Sequence, residues 1–287
     1  MKSSYIVYFI LVLTFKTGFI YSQADPSFSV KWENLPWASG GEIPAGPPWS
    51  MVGPYDFDGD NFGDFIVSSA YAGAYCNGVY HYEAAGNDSI DLRWVYTFYE
   101  LNCADDAYSS VAVGDINGDG NQEILALVDT SPGVIGQDAL QIFEWNPDSM
   151  SFLSEPTYTW DMGLEAVWEA GQILVEDVDG DGNQEIIVSI MNGPSWADMS
   201  TGGSSQLIIF EFQSATDGQA LFNIEYEDNI WTNWSGYNIS TGDLDGDGFI
   251  EIYTVAYEYY HLIIYENTGE DSYDYQTDFY ISSEQYQ

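Results

Sequence analysis

The chain has 287 residues, 45% of them hydrophobic and 17% aromatic, and it sets four Lys and Arg against 46 Asp and Glu for a formal charge of −42. That length suits one larger all-β domain with a sizeable core, and a composition rich in Tyr and Trp favours strands. The acidity excludes nucleic acid as a partner, because binding it needs a basic footprint, and it excludes an anionic membrane surface for the same reason.

Residues 1–24 read as a secretory signal. Lys2 supplies the positive start, Tyr5 to Phe15 the apolar stretch, and Ser22-Gln23-Ala24 the small residues that a signal peptidase cleaves after. Lys16 and the tail Thr17 to Tyr21 make the segment irregular, and a retained membrane anchor is the alternative. No other stretch is long and apolar enough to span a bilayer. Removal of residues 1–24 leaves Lys31 and Arg93 as the only cations against all 46 acids. Four divalent ions would offset only a minor part of that charge, so most of the acidity belongs to the surface.

Residues 25–49 form a lead-in. Phe28, Val30 and Trp32 alternate with Ser29 and Lys31, the period of a half-buried strand, and Glu33 to Trp49 reads as Pro- and Gly-rich loop.

From here the chain repeats. Asp56 to Asp64 (DFDGDNFGD), Asp115 to Glu123 (DINGDGNQE), Asp177 to Glu185 (DVDGDGNQE) and Asp243 to Glu251 (DLDGDGFIE) are four versions of one nine-residue loop, spaced 59, 62 and 66 residues apart. Periods of this size mark solenoids, propellers or arrays. Each loop puts oxygen side chains at positions 1, 3, 5 and 9 and Gly at position 4. Position 6 is Gly in three copies and Asn61 in the first, which suits a backbone with positive φ. Carboxylates two residues apart in a tight loop converge on one centre, and hard cations such as calcium take six to eight oxygens at about 2.3–2.6 Å. An acidic solvated turn is the bland alternative, and fourfold repetition with the same ninth-position acid argues against it. An EF-hand is excluded: its position-12 Glu is replaced by Val67, Ala126, Val188 and Thr254.

Each loop runs into a short strand-like segment: Phe65-Ile-Val-Ser-Ser, Ile124-Leu-Ala-Leu-Val, Ile186-Ile-Val-Ser-Ile and Ile252-Tyr-Thr-Val-Ala. Lead-in strands precede three of the loops at Ser110–Gly114, Gln172–Glu176 and Asn238–Gly242. Third strands are expected at Gly78–Tyr82, Ala139–Trp145, Gln206–Phe212 and His261–Glu266. Aromatic fourth strands are expected at Arg93–Tyr99, Thr157–Trp160, Phe222–Tyr226 and Tyr275–Ile281. Four strands per period make one propeller blade. The predicted architecture is all-β, a β-propeller of four-stranded blades with four blades in view: blade 1 over 50–103, blade 2 over 104–166, blade 3 over 167–234 and blade 4 over 235–287.

Val113-Gly114-Asp115-Ile116-Asn117-Gly118-Asp119-Gly120 and its three relatives, each followed by an acid and an apolar strand, resemble the FG-GAP and VCBS repeats, the calcium-binding propeller blades of integrin α-subunit heads and many secreted bacterial proteins. The resemblance spans roughly residues 50–287. VCBS-like is the better label, since the Phe-Gly and Gly-Ala-Pro elements are poorly kept. It implies up to four structural Ca2+ ions, each pinning the turn between the first two strands of a blade. The implied side-chain ligands are Asp56, Asp58, Asp60 and Asp64; Asp115, Asn117, Asp119 and Glu123; Asp177, Asp179, Asp181 and Glu185; and Asp243, Asp245, Asp247 and Glu251. The position-7 carbonyls of Phe62, Asn121, Asn183 and Phe249 complete the sets. The second site has one carboxylate fewer and is expected to bind most weakly. Relatives usually close with six to eight blades, so four blades imply a fragment of a longer ring, with a four-bladed ring as the alternative.

An even cysteine count in an exported chain favours a disulfide, with two unpaired thiols as the alternative. In propeller topology Cys76 and Cys103 fall on one face of blade 1, so a bridge there is geometrically possible.

Three functions remain in view. The first is a secreted or cell-surface binding and adhesion module for a glycan or a protein, with Trp196, Trp231 and Trp234 as stacking rings unless they pack between blades. The second is a propeller-framed extracellular polysaccharide lyase or hydrolase. No catalytic constellation stands out to support it: His81 and His261 sit in predicted strands, where a packed or surface role is expected. The third is a structural segment of a larger adhesin.

Overall fold

The structure, a computed structural model, describes residues 48–69, 78–86, 89–98, 109–128, 140–160, 162, 167–192, 204–230, 235–256 and 261–280. All lie within one compact unit, Pro36–Gln287. Every regular element among them is a β-strand. The predicted strand at Phe28–Trp32, Cys76, Cys103, Trp196, Trp231 and Trp234 lie outside the described residues.

The strands run as four antiparallel meanders. The first is β1 (Pro48–Tyr55), β2 (Asp64–Ser69), β3 (Gly78–Ala84) and β4 (Ile90–Thr97), in that spatial order. The second is β5 (Ser109–Gly114), β6 (Glu123–Val128) and β7 (Leu140–Asn146), with both β8 (Ser151–Phe152) and β9 (Tyr158–Trp160) pairing to β7. The third is β10 (Val167–Glu176), β11 (Glu185–Asn192), β12 (Ser204–Thr216) and β13 (Gln219–Ile230). The fourth is β14 (Ser235–Gly242), β15 (Glu251–Ala256), β16 (His261–Gly269) and β17 (Ser272–Tyr280).

Three expectations are corrected. The Pro-rich stretch read as loop through Trp49 gives way at Pro48 to β1, which has no predicted counterpart. Prolines cannot donate to a ladder, and β1 accommodates Pro48 and Pro54 because it is the edge strand of its sheet and its pairing to β2 slips in register twice. The fourth strand of the second repeat forms where expected, at Tyr158–Trp160, but an unpredicted strand, β8, precedes it. Asn146-Pro147-Asp148 turns the chain straight back into β8, with Asn146 Oδ1 accepting from the Asp148 N–H at 3.0 Å and its carbonyl from the Ser149 N–H at 3.2 Å. Finally, the second and third repeats are not separate sheets. A single parallel pair, Gln219 with Thr159, joins them into one nine-stranded sheet. Gln219 Nε2 donates to Thr159 Oγ1 at 2.8 Å, and the Thr159 N–H donates to the Gly218 carbonyl at 3.0 Å.

Among the described residues the core consists of three apolar layers, each between consecutive meanders. Ile66, Val79 and Trp94 of the first pack on Val111, Val113, Ile124 and Phe143 of the second. Leu125, Leu127 and Ile142 of the second meet Ile186, Val188, Ile208 and Phe210 of the third. Ile187, Leu207 and Ile209 of the third meet Ile252, Ile263 and Tyr265 of the fourth. Successive residues of β6 and β11 therefore serve opposite layers, which explains why β6 reads as an unbroken apolar run and β11 as one broken only by Ser189. On β2, by contrast, burial alternates, and Phe65 and Val67 are only half-buried.

The first strand of each repeat lies beside that of the next: β1 by β5, β5 by β10 and β10 by β14. Side chains tie the meanders across these junctions. Ser68 Oγ donates to the Ser109 carbonyl at 2.6 Å, Ser110 Oγ accepts from the Ile173 N–H at 3.2 Å, and Gln172 Oε1 accepts from the Ile239 N–H at 2.6 Å. The nine-residue loops join the first and second strands of every meander, so they recur at equivalent places.

Candidate metal centre

The four loops share one hydrogen-bond scheme. The position-1 Asp accepts backbone N–H groups from across the loop: Asp56 from Asn61 at 3.2 Å, Asp115 from Gly120 at 2.9 Å, Asp177 from Gly180 at 2.8 Å and Asp243 from Gly248 at 3.1 Å. Position 3 accepts from the N–H of position 5, as at Asp58, Asn117, Asp179 and Asp245 over 2.9–3.1 Å. Position 5 accepts from the N–H of position 7, from Phe62 to Asp60, Asn121 to Asp119, Asn183 to Asp181 and Phe249 to Asp247 over 2.7–2.9 Å. Each bond uses one side-chain oxygen, turns the carboxylate inward and leaves other acceptor sites on it. The wrap requires positive φ at positions 4 and 6: 77° and 70° at Gly59 and Asn61, 78° and 100° at Gly180 and Gly182.

The ninth-position acid starts the second strand and is buried in every repeat: Asp64, Glu123, Glu185 and Glu251. It accepts from the position-2 N–H, at 2.8 Å from Phe57, 3.0 Å from Ile116, 2.6 Å from Val178, and from Leu244. The other oxygen separates the sites. Glu185 Oε1 and Glu251 Oε1 are buried with no hydrogen-bond partner among the described residues. Glu123 Oε1 receives the Asn117 side-chain amide at 3.3 Å. Asp64 Oδ1 lies 2.7 Å from His81 Nε2, so the shorter side chain has both oxygens engaged. His81 is itself buried among Phe57, Trp145 and Phe152.

The predicted donors come together as follows. Asp56, Asp58 and Asp60 offer oxygens within 4.8 Å of one another, as do Asp115, Asp119 and Glu123, and Asp177, Asp179 and Glu185. Asp64 stays with His81. In the fourth loop Asp243, Asp245 and Asp247 keep the same turn bonds. Burial pushes the Glu123 carboxyl up to about 8, reinforced by Asp115 and Asp119, against the pull of its Ile116 bond. Burial likewise pushes Glu185 up to about 7, with Asp179 adding to it. A buried carboxylate with an empty oxygen beside further carboxylates fits a hard cation, and all-oxygen donors suit calcium better than a soft metal.

Three acids outside the loops, Glu211, Glu225 and Asp271, join loop carboxylates and were missed. Asp181 and Glu185 share a 4.8 Å cluster with Glu211 of β12, and Asp179 shares one with Glu225 of β13 and Asp271 of the β16–β17 turn. Burial, with Glu185 nearby, pushes Glu225 up to about 8, while Tyr273 Oη donates to it at 3.1 Å. The loop motif carries no trace of these residues: strand register places Glu211 opposite Glu185, and Asp271 comes from the next meander, its N–H donating to Asp179 Oδ2 at 2.9 Å.

A family model described as FG-GAP-like repeat matches residues 56–126, from the start of the first loop through the second and into β6. The chain thus carries an FG-GAP-like repeat there, and the third and fourth loops repeat its local geometry beyond the matched span. No curated protein matches the chain.

Proposed function

We propose that this chain is a calcium-binding β-propeller module, secreted or displayed at a cell surface, that binds an extracellular glycan or protein without catalysing a reaction. The observation that carries the calcium part is the unpartnered oxygen on buried Glu185 and Glu251, each beside a loop whose other carboxylates are turned inward. Desolvating a carboxylate without a partner is costly, and a divalent ion removes that cost while quenching repulsion between the acids. The ion supplies charge and a fixed coordination shell. The chain's own residues supply the turn that holds the first two strands of each meander in register.

The propeller reading is supported by four meanders in chain order, each packed face to face on the next, and by the FG-GAP-like match. The acidic loops stabilise the frame, and recognition falls to other parts of the chain, with Trp196, Trp231 and Trp234 as the candidate stacking rings. Calorimetric titration of chelator-stripped protein with CaCl2 tests the calcium reading. Uptake of up to four ions is expected, with the second site weakest; no uptake overturns it. A glycan array and a panel of matrix proteins test the binding role, with signal expected to fall in Trp196→Ala. A lack of binding to every probe would count against that role while leaving the calcium reading intact.

A further inference from the structure

In all four repeats the third strand places a glutamate directly opposite the ninth-position acid. Asp64 pairs with Glu83, Glu123 with Glu144, Glu185 with Glu211, and Glu251 with Glu266. Directly opposed residues of an antiparallel pair project from the same face with Cβ atoms about 4.5–5.5 Å apart, where like charges repel. The chain repeats this opposition in every meander, and a shared cation relieves it. In the first repeat Glu83 has Arg93, whose Nη1 lies 3.6 Å from its Oε1.

The third repeat has a different solution. Asp181, Glu185 and Glu211 each bring an oxygen within 4.8 Å of the others. Glu185 is fully buried, and its Oε1 has no donor among the described residues. Asn183, at position 7 of the loop, donates its side-chain amide to Glu211 Oε2 at 3.2 Å and to Asp181 Oδ2 at 3.1 Å, which orients both carboxylates toward the loop. We propose that Glu211 is a further ligand of the cation held by the third loop, supplied by β12 from outside the contiguous motif. Binding then clips three strands together instead of two, because the ion bridges β12 as well as the β10–β11 turn. This inference rests on the calcium reading of the loops.

The test is a calorimetric titration of the calcium-stripped full chain with CaCl2, comparing wild type, Glu211→Gln and a control, Glu155→Gln, which removes the same charge from an exposed position outside the loops. Glutamine keeps the size of Glu211 and its acceptor for Asn183. One site is expected to weaken by at least about tenfold in Glu211→Gln while the others hold, and the control should match wild type. Without calcium, Glu211→Gln should melt above wild type, because an opposed charge is gone, and calcium should raise its melting temperature by less. A merely structural Asn183 contact would not produce that reversal. Wild-type affinities in Glu211→Gln would overturn the role of Glu211 alone, whereas no uptake by wild type would remove the loop reading and this role with it. A calcium-loaded crystal structure gives a second reading that needs no variant: a Glu211 oxygen about 2.3–2.6 Å from the ion is expected, and one beyond about 4 Å refutes it.

Discussion

At the scale of single residues, the loops trade backbone strain for convergence. Position 6 holds φ 70° at Asn61 and 90–100° at Gly120, Gly182 and Gly248. A Cβ added at Gly182 would meet nothing within 4 Å, so a substitution there is felt only through the backbone. Left-handed geometry costs an ordinary L-residue about 1–2 kcal/mol, and Asn bears it better. Gly182→Ala is therefore expected to lower stability by about 1 kcal/mol or more, with Gly182→Asn retaining most of it, as read from urea midpoints at constant slope. Equal midpoints for the two variants would contradict this account. Asp64 teaches the complementary lesson. Sequence spacing makes it equivalent to Glu185, but the side chain is one methylene shorter and its free oxygen goes to His81, so equal spacing does not give equal donors.

At the scale of elements, the second and third strands were legible because each is a short run of apolar, β-branched and aromatic residues, and both packing layers demand that. β1 was hidden by Pro48 and Pro54, and β8 by the Asn146-Pro147 turn: local chemistry that overrides the repeat. The strand-three glutamates could not be tied to the loops from spacing, since only the register of β2 with β3 and of its counterparts places them there. A faint signal exists in hindsight, because each follows an aromatic residue, as in Tyr82-Glu83, Phe143-Glu144, Phe210-Glu211 and Tyr265-Glu266. The contacts between meanders were equally invisible. Gly114 ends β5 where β10 approaches, and a Cβ there would lie 2.4 Å from Val175 Cγ1 and 2.6 Å from Gln184 Oε1. Val175 is stiff at χ1 and cannot swing clear cheaply. Gly114→Ala is expected to destabilise by about 1–3 kcal/mol through overpacking. Thermal melts check this, and pairing it with Val175→Ala should restore part of the loss. Independent effects of the two changes would place the strain elsewhere.

At the scale of the whole molecule, the calcium reading predicts that the same carboxylates tie stability to pH and to calcium in opposite senses. Without ions, burial holds Glu123 and Glu185 at about 8 and 7, well above the ordinary carboxyl range they return to on unfolding. The unfolded chain therefore loses protons more readily than the native one, and stability falls as pH rises. Their contribution is complete below about pH 4.5, the unfolded value, and is lost progressively as pH climbs through 7 to 8. Self-repulsion in a chain of formal charge −42 acts in the same direction. Calcium needs these groups ionised, so its stabilisation grows where the ion-free protein is weakest, by about 2.7 kcal/mol per site at a hundredfold excess over Kd. Chelator-stripped protein should melt at a higher temperature at pH 5.5 than at pH 8, and saturating calcium should shrink or invert that difference. Added NaCl at pH 8 separates the two causes. Screening raises the melting temperature of the stripped protein by weakening long-range repulsion, but it cannot satisfy the buried oxygens of Glu185 and Glu251. If salt alone restored the full effect of calcium in scanning calorimetry, the loops would be no more than a charged surface.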